Sequence, residues 1–134
     1  MANFSLSVVA PDRTVFEDEV QSVILPGVNG YLGILSRHEP MILALRPGIM
    51  EFRDLNNQVD YVSVSGGFAE VSENHVIVLA QDAERATEIE VQDAERRLEE
   101  ARRALTGGDS PMTTAEATAE IERATVRLRA AKKK

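Results

Sequence analysis

Ile49-Met50-Glu51-Phe52-Arg53-Asp54, then Asn56-Asn57, then Val59-Asp60-Tyr61-Val62-Ser63-Val64-Ser65 is the stretch that decides the fold. Each flank alternates with a period of two, the signature of a half-buried strand. Asn tolerates positive φ, so Asn56-Asn57 suits a hairpin turn between them. The same pattern recurs outward. Phe4, Leu6, Val8 and Ala10 alternate with Ser5, Ser7 and Val9, and Pro11-Asp12 ends the run. Val20–Leu25 is a strand stopped by Pro26-Gly27, and Tyr31–Leu35 is another. Arg46-Pro47-Gly48 reads as a turn. After Gly66-Gly67 come strands over Phe68–Val71 and Val76–Leu79. Many short strands with turn residues between them predict a β-sandwich or barrel.

The period changes near residue 84. All aromatic residues precede position 69, as do four of the five prolines. Beyond the boundary Ala94, Leu98, Ala101 and Leu105 form one stripe at helical spacing, and Ala117, Ile121, Ala124, Leu128 and Ala131 form a second. Thr87 with Glu90 and Thr113 with Glu116 match the capping-box spacing, and Gly107-Gly108-Asp109-Ser110-Pro111 is the turn between two helices. The predicted domains are 1–84, built of strands, and 85–134, a helical hairpin. Alanine buries little area, so the hairpin is expected to dock weakly and to be able to leave its resting place.

Charge follows the same division. Residues 1–83 carry 11 acids and 4 bases, whereas residues 84–134 carry 11 of each. An acidic body argues against nucleic acid as a partner. The last 12 residues hold six bases and no acid, which suits an acidic protein surface. The chain has no cysteine, which excludes disulfides, Cys-ligated zinc and a thiol nucleophile. No apolar run reaches the ~20 residues of a membrane-spanning helix. Met1–Ser5 lacks the basic-then-apolar layout of a secretion signal, so a cytosol-facing chain is expected.

No sequence feature supports catalysis. A P-loop is missing, and Gly27, Gly30 and Gly33 have the wrong spacing for a dinucleotide fingerprint. His38 and His75 are isolated from other ligands, His38 in a loop and His75 at an exposed turn, so no metal is expected. Ser65-Gly66-Gly67 lacks the frame of a nucleophile elbow and reads better as a bulge or a close backbone approach. The acids of the second half read as a solvated, ion-paired helix surface. The chain reads as an adaptor without a cofactor, a β body with a detachable arm. A freestanding protein-interaction module with a coiled-coil arm is the alternative function.

Two longer motifs carry a resemblance. Ile24-Leu25-Pro26-Gly27-x-x-Gly30-Tyr31-Leu32-Gly33-Ile34-Leu35-x-x-His38-x-Pro40 resembles the signature loop of the F-type ATP synthase epsilon subunits. Ser65-Gly66-Gly67-Phe68-Ala69-Glu70-Val71 is similar to their second signature, and the opening Val8–Arg13 is also similar. The resemblance implies an α+β chain, a ten-stranded antiparallel β-sandwich followed by an antiparallel two-helix hairpin. It implies a non-catalytic rotor part that couples the F1 head to the proton-carrying c-ring through gamma, on the cytosol-facing side of a plasma or thylakoid membrane. Contact with that membrane would run only through partners. Gly30, Tyr31, Leu32 and Gly33 would face the c-ring, and His38, Glu39, Pro40 and Met41 would lie near gamma. In an extended hairpin, Arg123, Arg127 and Arg129 would meet the beta subunit of the alpha/beta head and impede ATP hydrolysis. Some relatives bind ATP through an Ile/Leu-Asp-x-x-Arg-Ala motif. Here Glu90 and Asp93 replace its acid and its arginine, so weak or no ATP binding is expected.

Overall fold

The computed structural model describes residues 3–36 and 39–133. Strands β1 (Phe4–Ala10), β2 (Arg13–Gly27), β3 (Gly30–Leu35), β4 (Met41–Asp54), β5 (Val59–Ser72), β6 (His75–Ala80) and β7 (Ala83–Arg85) come first. A 3-10 turn (Ala86–Glu88) leads to helices α1 (Val91–Leu105) and α2 (Thr114–Ala131). Pairing runs β1-β6-β5-β4-β2-β3, and an additional β1–β2 pairing closes the first five into a ring. The body is thus a barrel-like sandwich, with β3 extending from β2 and β7 from β5. Closure leaves few free strand edges for other chains to pair with. Its interior takes every second residue of the alternating runs, among them Leu6, Val8, Val23, Leu25, Met50, Phe52, Val62 and Val64. Each such side chain contributes about 1.5–3 kcal/mol by burial.

The sandwich and the hairpin agree with expectation, but two details differ. Among the described residues there are seven strands rather than ten. Arg46-Pro47-Gly48 and Gly66-Gly67 do not end strands. They lie opposite one another, with Leu45 paired to Gly67 and Pro47 to Ser65, so β4 and β5 bend together without breaking. One long strand can thereby serve both layers. The second difference is that β1 and β6 run parallel, within an otherwise antiparallel set.

Gly67 allows the bend. Its φ is 128°, and a Cβ there would meet the Leu79 carbonyl oxygen at 2.1 Å. At the other hairpin, Asn57 has φ 67°, as the turn requires. Asp54 Oδ1 accepts hydrogen bonds from the backbone N–H of Asn56 and Gln58 at 2.8 and 2.9 Å. His75, expected at an exposed turn, instead begins β6, half-buried, with Nδ1 against the Ser5 hydroxyl.

The second capping box forms. The Glu116 N–H donates to Thr113 Oγ1 at 3.1 Å, and the Thr113 N–H donates to Glu116 Oε1 at 3.0 Å. These Thr113 hydrogen bonds, backbone first, hold the Glu116 carboxyl below its ordinary pKa. The first box does not form. Thr87 lies in the 3-10 turn, and α1 starts only after Glu90, which makes no side-chain cap. Ile89 is the cause: it is buried with Ala86, Ala130 and Ala131 on the barrel, so the chain stays extended there. Helix α1 stops as expected, with Gly107 at φ 84° and the Gly108 N–H donating to the Arg103 carbonyl at 2.8 Å, the outer bond of a Schellman cap.

Substitution separates the strained glycine from a merely small one. Gly67→Ala is expected to lower unfolding stability by about 2 kcal/mol or more, through backbone overlap and a φ that side chains resist. Gly33→Ala, where a Cβ meets nothing within 4 Å, should change it by less than about 0.5 kcal/mol. Urea unfolding midpoints of the two variants check both values.

Candidate functional site

Helix α2 lies across β4, β5 and the 3-10 turn, and it also pairs with α1. The alanine stripes bury as read: Ala94 and Ala101 on α1, and Ala117, Ala124 and Ala131 on α2. The larger residues in those stripes do not. Ile121, Leu98 and Leu128 are half-buried, and Leu105 is exposed. A second buried set on α2, Val126, Arg127 and Ala130, was not legible from the stripe alone.

Arg127 holds the seam. Its Nε donates to Glu84 Oε1 on β7 at 2.8 Å, and its Nη1 donates to Asp93 Oδ2 on α1 at 3.0 Å. Asp93 also accepts from Arg96 at 2.7 Å and from Arg97 at 3.1 Å. Burial works against the Arg127 charge, but the hydrogen bonds it donates to Glu84 and Asp93 outweigh it and raise the guanidinium pKa. The Asp93 carboxyl is lowered, first by the Arg127 hydrogen bond and then, against some desolvation, by Arg96 and Arg97. Arg123 extends the cluster, 2.9 Å from Glu120 Oε2 and 3.6 Å from Asp82 Oδ2. Asp93 and Glu84 are ion-paired as the sequence suggested, but in a part-buried seam between helix and barrel and not on a solvated helix face. One signal was present: both lie near the change of period, where a strand and a helix must meet.

The three arginines read as one group are divided. Arg123 and Arg127 turn into the seam. Arg129 is exposed and lines a separate cleft with Lys133, Tyr31 and Tyr61. Glu90 is exposed beside the start of α1.

The glycine loop is the hairpin between β2 and β3, closed by the Gly27–Gly30 pair. Gly30 has φ 127°, Tyr31 and Gly33 are exposed, and Leu32 packs partly against the barrel core. The Arg46 guanidinium lies over the Tyr31 ring at 5.4 Å. His38 falls outside the described residues. Glu39 and Pro40 are exposed, and Met41 begins β4 against the core. Beside Met41 runs an exposed apolar row. Phe68 pairs with Leu79 across β5 and β6 and with Ala44 on β4, and Ile42, opposite Glu70, lies diagonally from Phe68. Phe68, Leu79 and Ile42 are 59%, 56% and 73% exposed. Among the described residues no group of His, Asp or Glu is placed to hold a metal ion.

Comparison with known proteins matches both parts. The family model "ATP synthase, Delta/Epsilon chain, beta-sandwich domain" covers residues 3–86. The model "ATP synthase, Delta/Epsilon chain, long alpha-helix domain" covers residues 82–132. The ATP synthase epsilon chain of Moorella thermoacetica is 41% identical over 98% of this chain and 98% of its own. The chloroplastic epsilon chain of Pyropia yezoensis is 38% identical over 95% of this chain and 94% of its own. Among solved structures, a chain of the Euglena gracilis mitochondrial ATP synthase superposes with a TM-score of 0.75 at 26% identity, covering 100% of this chain and 83% of its own. A chain from the central stalk/c-ring structure of the Tetrahymena thermophila mitochondrial ATP synthase shares the fold, with a TM-score of 0.59 at 12% identity over 96% of each chain. Matched along both its strand-built body and its helical hairpin, the chain belongs to the ATP synthase delta/epsilon family, on the epsilon side of it.

Proposed function

We propose that this epsilon-type chain couples the F1 head to the c-ring through gamma and that its hairpin restrains ATP hydrolysis. The carrying observation is the state of the arginines. Folded down, the hairpin commits Arg127 to Glu84 and Asp93, and Arg123 to Glu120 and Asp82. Lifted away with its helices parted, the hairpin loses Asp82, Glu84 and Asp93 as counter-charges, Arg123 keeps only Glu120, and these arginines can meet an acidic surface, here the beta subunit of the alpha/beta head, together with Arg129. Residues 1–84 act as the foot and 85–134 as the moving arm. The exposed row of Ile42, Phe68 and Leu79, continuing from Glu39, Pro40 and Met41, offers gamma an apolar footing. His38 belongs to that stretch in sequence. Gly30 to Gly33, at a projecting hairpin end with Val28 and Tyr31 exposed, suit the ring. The Euglena and Tetrahymena chains come from assemblies containing a c-ring, which supports this placement. Among the described residues no helix is long and apolar enough to cross a membrane. Attachment through partners on the cytosol-facing side of a plasma or thylakoid membrane accords with bacterial and chloroplast relatives.

The chain itself supplies no catalytic group in this reading and needs no cofactor. ATP is not expected to hold the hairpin down. The position where the nucleotide-binding motif has a cation carries Asp93, and three arginines already neutralise it.

Removing residues 88–134 is expected to raise ATP hydrolysis by the reconstituted F1 while leaving its assembly with gamma intact. Unchanged hydrolysis across salt and ADP levels would overturn the restraint and spare the coupling. Arg127→Ala strands Glu84, while Asp93 keeps Arg96 and Arg97, and is expected to weaken docking by about 1–3 kcal/mol. A fluorophore pair placed on β1 and α2 reads that loss as separation. Asp93 titrates lower folded than unfolded, so its contribution is complete above the ordinary value of 3.8 and fades as pH falls below it. A fluorophore pair placed on α1 and α2 should therefore report a loosening of the hairpin that starts under that value, and Asp93→Asn should remove this component. Millimolar ATP should leave the amide NMR shifts of residues 89–128 unmoved, and saturable shifts there would show nucleotide binding after all.

A further inference from the structure

The cleft on the far side of α2 has a composition that the seam does not explain. Its floor is a cross-strand row: Ile24 on β2 pairs with Glu51 on β4, and Glu51 pairs with Tyr61 on β5. Ile49, two residues before Glu51, and Tyr31 from β3 add to that wall. Arg129 and Lys133, one helical turn apart, form the opposite wall. Together these residues enclose a cavity of about 300 Å³. That volume sits at the lower limit of small-ligand sites.

The charges inside it are unequal and largely unanswered. Arg129 makes no ion pair among the described residues, in contrast to Arg123 and Arg127. Lys133 Nζ lies over the Tyr61 ring at 5.2 Å. Glu51 is the one acid in the lining, against two cations. Arg129, in the last turn of α2, complements the helix dipole, and Lys133 follows just past the helix end. Ile49 and Tyr61 pack in part against Ala86, Ile89, Ala130 and Ala131, and Tyr31 is exposed. The ring and aliphatic carbon left uncovered favour a flat apolar body, and two adjacent cations favour one anionic group beside it.

We propose that this cleft binds a small planar aromatic anion, with its ring system between Tyr31, Tyr61 and the isoleucines and its anionic group on Arg129 and Lys133. The site is separate from the Arg127 cluster, which meets the opposite side of α2. One wall is barrel and the other is helix, so it exists only while the hairpin is docked. Binding there needs the docked hairpin alone and is independent of any effect on hydrolysis.

The test uses the full chain and 1-naphthyl phosphate, followed by NMR. Saturable shifts at Tyr31, Ile49 and Tyr61 are expected at low-millimolar probe. Inorganic phosphate, which lacks the ring, and 1-naphthol, which lacks the charge, should each bind at least roughly tenfold more weakly, as loss of either half of the contact implies. The double variant Arg129→Gln, Lys133→Gln should weaken the probe by a similar factor. Its fold is not at stake, since neither side chain is ion-paired in the structure. Glu51→Gln, which removes the opposing charge, should tighten binding a few-fold. The proposal is overturned by absence of saturation, by shifts centred on Phe68 and Leu79, by equal binding of inorganic phosphate or naphthol, or by affinity indifferent to all these variants.

Discussion

Arg127 ties together three elements that the chain keeps apart, bridging β7 and α1 from its place on α2. Its energetics bear on how strongly the hairpin is held to the barrel. Taking a guanidinium out of water costs several kcal/mol, and two carboxylates with good geometry return an amount of similar size. The net gain is small, although loss of either carboxylate would be felt strongly. Around this tie the seam offers mostly alanine, each burying a single methyl group, worth about 0.8 kcal/mol. A docking free energy built from such parts lies within reach of what a partner surface can offer, since every 1.4 kcal/mol shifts a population about tenfold.

The barrel is built on the opposite terms. Its ring of pairings closes on itself, and its interior holds Leu, Val, Met and Phe from almost every strand. The bend that lets β4 and β5 serve both layers depends on Gly67 passing within contact of the Leu79 carbonyl, which no side chain permits. The same bend leaves Phe68 and Leu79 paired on the outside. A stiff foot and a weakly held arm therefore arise from two different economies of burial within one short chain.

Much of this was visible in the residues. Alternation at Met50, Phe52, Val62 and Val64 is a local property, and those side chains are buried in the core. The capping box at Thr113 needs only its own four residues, and it forms. Thr87 and Glu90 have the same spacing but fail, because the burial of Ile89 beneath α2 decides the local backbone. Arg46-Pro47-Gly48 carries turn residues, yet it lies in a strand whose partner bends at the same level. Pairing across strands cannot be read from one segment alone. The division of Arg123 and Arg127 from Arg129 has the same origin: sequence shows a run of bases, while the counter-charges Asp82 and Glu84 come from another part of the fold. For the loop that contains Glu39 and Pro40, sequence shows a resemblance and the geometry shows exposure, which identifies a surface without identifying what meets it.

Helical geometry sharpens the meaning of that division. Arg123 and Arg127 are four residues apart and share a face of α2, whereas Arg129, in its last turn, and Lys133, just past its end, line one cleft. Going from Arg127 to Arg129 turns the helix by about 200°, which places the pairs on nearly opposite sides. One side is neutralised by Asp82, Glu84 and Asp93; the other looks into a cleft with a single acid. Docked, α2 thus presents only part of its charge to the surroundings. In the proposed extended arm the loss of Asp82 and Glu84 would leave Arg123 and Arg127 with fewer counter-charges, and attraction to an acidic surface, felt over a Debye length of about 8 Å at physiological salt, would rise as the arm comes free. Release and capture would then reinforce one another: the docked arm answers part of the charge that would draw it away, and the freed arm shows more of it.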